Sequence, residues 1–163
     1  MTWLLIVFGM AVVLSPLMWL KQSPHQKRIT ELRRQASGQS LQVSLHRRPD
    51  AREGEHRLES VCYRLPWQDT DCRQNWVLHR ASQRGWSSDH EGWSWFVQEA
   101  NPKWNPLLSE IVPIMPVGVS AIIASGQGIG VIWDERGELP EVKKICEILH
   151  RLRQKLKKIV DET

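Results

Sequence analysis

Hydrophobic and polar positions change rhythm several times along this chain. From Thr2 to Leu20 there is no alternation: TWLLIVFGMAVVLSPLMWL carries no charge, and Thr2 and Ser15 are its plainly polar side chains. A helix of that length would span roughly 28 Å at about 1.5 Å per residue, close to a bilayer core of about 30 Å. Trp3 and Trp19 stand at its ends, where indoles favour the headgroup level. The pattern predicts a transmembrane anchor over residues 1–22, kinked at Pro16. A core helix would show a polar face. A cleaved export signal would carry basic residues before the run and small residues soon after it.

Beyond the run the rhythm becomes helical. In PHQKRITELRRQA, Ile29, Leu32 and Ala36 fall on one stripe, with Ser23 at the cap, Pro24 at the first position and Gln26 in the capping-box place. This predicts a basic juxtamembrane helix over 23–38. Alternation starts at Leu41, Val43 and Leu45, a candidate strand, and RRPDAREGE is a polar loop. HRLESVCYRL (56–65) and NWVLHRA (75–81) read as a hairpin around PWQDTDCRQ. Centring its register on the loop sets Tyr63 opposite Trp76, Val61 opposite Leu78 and Cys62 opposite Val77, so that Cys62 does not meet Cys72. A strand at WSWFVQEA (93–100), a short helix at LLSEIV and a second hairpin, GVSAIIA and IGVIWDE around SGQG, follow. The last segment, from Pro140, is strongly helical in period.

The expected fold class is α+β: one N-terminal transmembrane helix, then an antiparallel sheet domain in the order ββββαββα, ending in a long amphipathic helix. The expected division is an anchor at 1–22, a basic juxtamembrane helix at 23–38 and one cytosolic domain at 39–163.

Charge adds orientation. Residues 21–34 hold five basic side chains and one acidic, residues 141–163 seven and four, and the remainder ten and thirteen, so the two ends carry the overall +4. Lys21, Lys27, Arg28, Arg33 and Arg34 follow the apolar run and none precedes it. The positive-inside rule then keeps the C-terminal part in the cytoplasm, as for a single-pass bacterial inner-membrane protein with its N-terminus outside. Three cysteines form no paired disulfide framework, in keeping with that side.

The apolar run with its tail inside, followed by Pro24 and by Gln26-Lys27-Arg28, resembles the YajC-type accessory subunits of the bacterial Sec preprotein translocase over residues 4–36. The resemblance implies topology and association with the translocase. Those subunits continue into a small β domain opening with a Gly-Asp-containing strand and turn, a pattern that does not follow Gly38 here.

Candidate chemistry is sparse. The last helix carries Lys143, Lys144, Arg151, Arg153, Lys155, Lys157 and Lys158 opposite a stripe of Val142, Ile145, Leu149, Leu152, Leu156 and Ile159. The stripe suits packing on a sheet or pairing with a second chain, and the basic face suits solvent or anionic headgroups. Six of nine tryptophans fall between Trp67 and Trp104; Trp93 and Trp95 share a strand face, and Trp67, Trp86 and Trp104 sit in predicted loops, where they serve loop packing or a partner surface. GQGIG (126–130) precedes a strand, not a helix N-terminus, so its glycines fit a hairpin turn better than a dinucleotide. The clusters DHE (89–91) and DTDC (69–72) have no second cluster at metal-ligand spacing. Nucleic acid is a poor partner for an acidic middle segment.

The functional expectation is a membrane-anchored, non-catalytic protein-interaction or accessory domain, with no cofactor, metal or catalytic residue assigned. Its membrane contact is Thr2–Leu20, with Trp3, Trp19, Lys21, Lys27 and Arg28 at the interfaces. A protein partner or a second copy would meet Trp67, Trp86, Trp104, Lys155, Lys157 and Lys158. The alternative is a membrane-tethered small ligand-binding domain or enzyme built on His79, His90, Asp89 or a thiol.

Overall fold

A computed structural model describes Trp3, Ile6 and Met10, then residues 23–56, 58–68, 75–82 and 84–161, with side chains as far as Lys155. The chain divides into two compact units, Met1–Glu31 and Leu32–Thr163.

In the first unit, Trp3, Ile6 and Met10 are helical and exposed. Helix α1 (Pro24–Gly38) opens here with the expected reciprocal cap: Gln26 N–H donates to Ser23 Oγ at 3.2 Å, and Ser23 N–H to Gln26 Oε1 at 3.1 Å.

The expected transmembrane helix requires correction. Among the described residues no helix is long and apolar enough to cross a membrane. Helix α1 has 15 residues and several basic side chains, and the long C-terminal helix has one charged side. Of the run Thr2–Leu20, only Trp3, Ile6 and Met10 are among the described residues; Trp19 and Lys21 lie outside them. From residue 23 onward the described residues form a seven-stranded antiparallel sheet with three helices, which replaces the expected fold class, and the single-pass inner-membrane reading falls with it.

In the second unit the strands are β1 (Gln42–Arg47), β2 (Glu59–Leu65), β3 (Trp76–His79), β4 (Trp86–Ser87), β5 (Ser94–Phe96), β6 (Val119–Ser125) and β7 (Gly128–Trp133). Helix α2 (Asn105–Ile111) lies between β5 and β6, flanked by single 3-10 turns, and α3 (Leu139–Asp161) follows β7. The order across the sheet is β1-β2-β7-β6-β3-β5-β4, every neighbouring pair antiparallel.

That order overturns the first expected hairpin. Strands β2 and β3 do not pair; the β6–β7 hairpin stands between them, so Tyr63 faces Val43 and Val131, Trp76 faces Ala124, and Cys62 faces Ser44 and Ile132. The reason is burial. Nearly every residue of β6 and β7 is apolar or glycine and buried on both faces, which suits the centre of a sheet. Five strands precede α2, because Trp86–Ser87 in the segment read as a loop adds to β5 as an edge.

The helices share one face of the sheet. Leu32 and Ala36 of α1, Leu108 and Ile111 of α2, and Val142, Ile145, Leu149 and Leu152 of α3 pack with Tyr63, Trp76, Leu78, Ile122, Val131 and Trp133. The stripe of α3 is thus buried within its own chain as far as Leu152. On the opposite face Val77, Ala121, Ile123 and Ile132 form a smaller cluster with Phe96 packed against it. Between Ser125 and Gly128 the GQGIG segment is the β6–β7 turn. Gly128 takes φ +149°, and a Cβ there would lie 2.4 Å from the carbonyl oxygen of Leu65.

Candidate interaction edge and the buried polar groups

Most charged and polar side chains that the fold buries are engaged in holding it together. Glu135, at the exit of β7, is 5% exposed and adopts φ +57°. Its carboxylate accepts Nε and Nη2 of Arg33, both at 2.7 Å, and the hydroxyl of Tyr63 at 2.8 Å. The bond to Glu135 raises the pKa of Arg33, and burial followed by that same carboxylate pushes the Tyr63 hydroxyl well above the usual phenol range. The Tyr63 ring meets Trp133 edge-on at 5.5 Å, and Trp133 donates to the Val117 carbonyl. Three donors on one carboxylate tie the C-terminal half of α1, β2 and the β7–α3 junction together.

A second group lies on the other face. His79 is fully buried on β3, its Nε2 donating to the carbonyl of Arg84 at 2.9 Å, while Nδ1 has no hydrogen-bond partner among the described residues. Phe96 packs edge-on to that imidazole at 5.8 Å, with the Arg84 guanidinium over its ring. Arg84 also donates to the Asp50 carbonyl, and Arg48 grips the Asp50 carboxylate at 3.1 and 2.7 Å, which holds its pKa below the usual carboxylate value. His90 is buried in a tight turn closed by Ser88, and burial lowers its pKa; Asp89 accepts from Asn105. Among the described residues no three His, Cys, Asp or Glu side chains converge as a metal site. Residues 69–74, which contain the whole of DTDC, lie outside them. Cys62 and Cys146 are buried free thiols, and burial raises both, Cys146 to about 11.

The tryptophans divide between core and surface. Trp104 is fully buried and packs edge-on to Trp76 at 5.4 Å, so it offers no partner surface. Trp76 also meets Trp95 at 6.0 Å. Trp67 is half-buried and donates to the Ser125 carbonyl at 2.7 Å, whereas Trp86, on β4, remains partly exposed and donates to Glu99. Lys155 is half-buried, and the side chains of Lys157 and Lys158 lie outside those described. In the first unit Trp3 and Lys27 are exposed and Arg28 is half-buried.

The open feature is one the sequence reading passed over: strand β1. Among the described residues it borders β2 alone, and its outer side is the edge of the sheet. Beyond its end, Arg48 N–H donates to the Leu58 carbonyl at 2.9 Å, continuing the register that pairs Gln42 with Arg64 and Arg47 with Glu59. Antiparallel ladders bond every second residue inward. The even-numbered residues therefore bond to β2, and Val43, Leu45 and Arg47 turn their N–H and C=O groups outward. Leu45 is 66% exposed beside them. The Arg47 carbonyl also has the imidazole Nδ1 of His46 at 2.8 Å. Edges are commonly blunted by Pro, Lys or a bulge, and QVSLHR has none of these. The opposite edge, β4, is only two residues long. Alternation at Leu41, Val43 and Leu45 predicted the strand; its place at the edge and its bonding phase required the register.

No family model, no curated protein and no solved structure matches the chain.

Proposed function

We propose that the Leu32–Thr163 unit is a non-catalytic protein-binding module that receives an extended segment of its partner along the outer side of β1. The observation that carries this reading is the row of outward backbone groups at Val43, Leu45 and Arg47 beside an exposed leucine. An added strand satisfies those groups, each bond worth about 0.5–1.5 kcal/mol net, and Leu45 supplies apolar contact for selectivity. Within the unit Arg33, Arg48, Arg136 and Arg151 each pair with a carboxylate, and bases so engaged suit phosphate binding poorly.

The test selects extended peptides from a display library against the full-length chain and maps amide hydrogen exchange. Bound peptides should slow exchange at Val43, Leu45 and Arg47, and Leu45→Pro, which deletes an outward donor without touching the bonds to β2, should abolish binding. Peptides that instead protect amides around Trp86 or Val117, or that bind Leu45→Pro unchanged, would overturn the reading.

A further inference from the structure

Resting on the strand-accepting reading, we infer that the segment received by β1 is β1 of a second copy, the two pairing antiparallel about a two-fold axis at Leu45. The outward residues Val43, Leu45 and Arg47 are centred on Leu45. Antiparallel pairing about that centre matches Val43 with Arg47 of the second copy, Leu45 with Leu45, and Arg47 with Val43. Every outward N–H and C=O of the strand then finds a partner.

The side chains fit the same register. Directly opposite residues share a face. The two Leu45 side chains, 66% exposed in the single chain, close on each other at the axis. The Arg47 stems lie across Val43, and the two Arg47 charges stand about 14 Å apart along the strand direction. On the other face Ser44 stands opposite His46, a hydroxyl beside an imidazole. No like charges oppose each other.

The lengths of the two edges favour closure. Strand β4 offers two residues against the six of β1, so head-to-tail addition of β1 to β4 would leave most outward groups unmet, whereas β1 on β1 matches completely. A two-fold pair is closed and stops at two copies. An interface of one strand pair falls below the roughly 1,200 Å² of stable complexes, so the dimer is expected to dissociate and re-form with concentration.

The test uses the full-length chain with Cys72→Ser, so that the introduced thiol is the reporter while Cys62 and Cys146 stay buried. Leu45→Cys should form an interchain disulfide under mild oxidation, because bonded opposite residues lie about 5.5 Å apart, within disulfide reach. Val43→Cys should not, since its copy would be about 14 Å away. By sedimentation equilibrium the native chain should convert reversibly from monomer to dimer between about 10 µM and 1 mM, and Leu45→Lys should weaken this at least about tenfold. Linking through Val43→Cys overturns the register. A native chain that stays monomeric, with Leu45→Cys unlinked, overturns the self-pairing; the edge then serves another protein's strand if selected peptides still protect Val43, Leu45 and Arg47, and the strand-accepting reading falls as well if they do not.

Discussion

Replacing Tyr63 by phenylalanine isolates one bond of the Glu135 cluster. The ring keeps its volume and its edge contact with Trp133 at 5.5 Å, so no cavity opens. The hydroxyl that donates to Glu135 Oε1 at 2.8 Å is lost, and that oxygen retains Arg33 Nε at 2.7 Å. A hydrogen bond to a charged acceptor contributes about 1.5–3 kcal/mol. Because the carboxylate keeps the guanidinium fork, the lower part of that range applies, about 2 kcal/mol. With a urea dependence of about 2 kcal/mol per molar, the unfolding midpoint should fall by about 1 M. The thermal midpoint should fall by roughly 4–8 °C. Urea unfolding followed by tryptophan fluorescence measures the shift, with most of the tryptophans reporting from the sheet and its helices. A midpoint lowered by less than about 0.2 M, or raised, would show that Glu135 is satisfied without the hydroxyl and that the buried hydroxyl adds nothing to the junction of β2 with β7.

Two further expectations concern the same sheet. Tyr63 is the single tyrosine of the chain, and its hydroxyl is held above its ordinary value of about 10 by burial and by Glu135. Its contribution to stability is therefore full below that ordinary value and is lost as pH rises beyond it, because the unfolded chain releases the proton first. Phenolate absorbance should rise together with loss of the folded tryptophan signal; phenolate forming while the fold persists would contradict the burial argument. Gly128→Ala forces a Cβ to 2.4 Å from the Leu65 carbonyl at φ +149°, and should cost more than about 2 kcal/mol in the same urea assay, a loss under about 1 kcal/mol counting against a rigid approach of β2 to the hairpin.

Much of the local structure was written in neighbouring residues. The Ser23–Gln26 cap, the periodic stripe of α3 and the β6–β7 hairpin around Gly126 and Gln127 each depend on residues a few positions apart, whose propensities and spacing survive without the rest of the chain. A hydropathy run such as Thr2–Leu20 suggests a span from composition alone, and among the described residues no helix long and apolar enough to cross a membrane supports that expectation. Other features arose only when distant segments met. Strands β2 and β3 look like a hairpin by proximity, but the doubly buried β6 and β7 take the centre of the sheet, since leaving them at an edge would expose apolar surface on both faces. Trp104 lies in a stretch that reads as a loop and is nevertheless buried against Trp76, and Glu135, in an ordinary turn sequence, gathers Arg33 and Tyr63 from 102 and 72 residues away. The outward phase of β1 belongs to the same class. Its sequence determines that a strand forms, while the partner on one side and the open edge on the other set which of its backbone groups stay unmet, because hydrogen-bond phase is a property of a pair of strands and not of either strand alone.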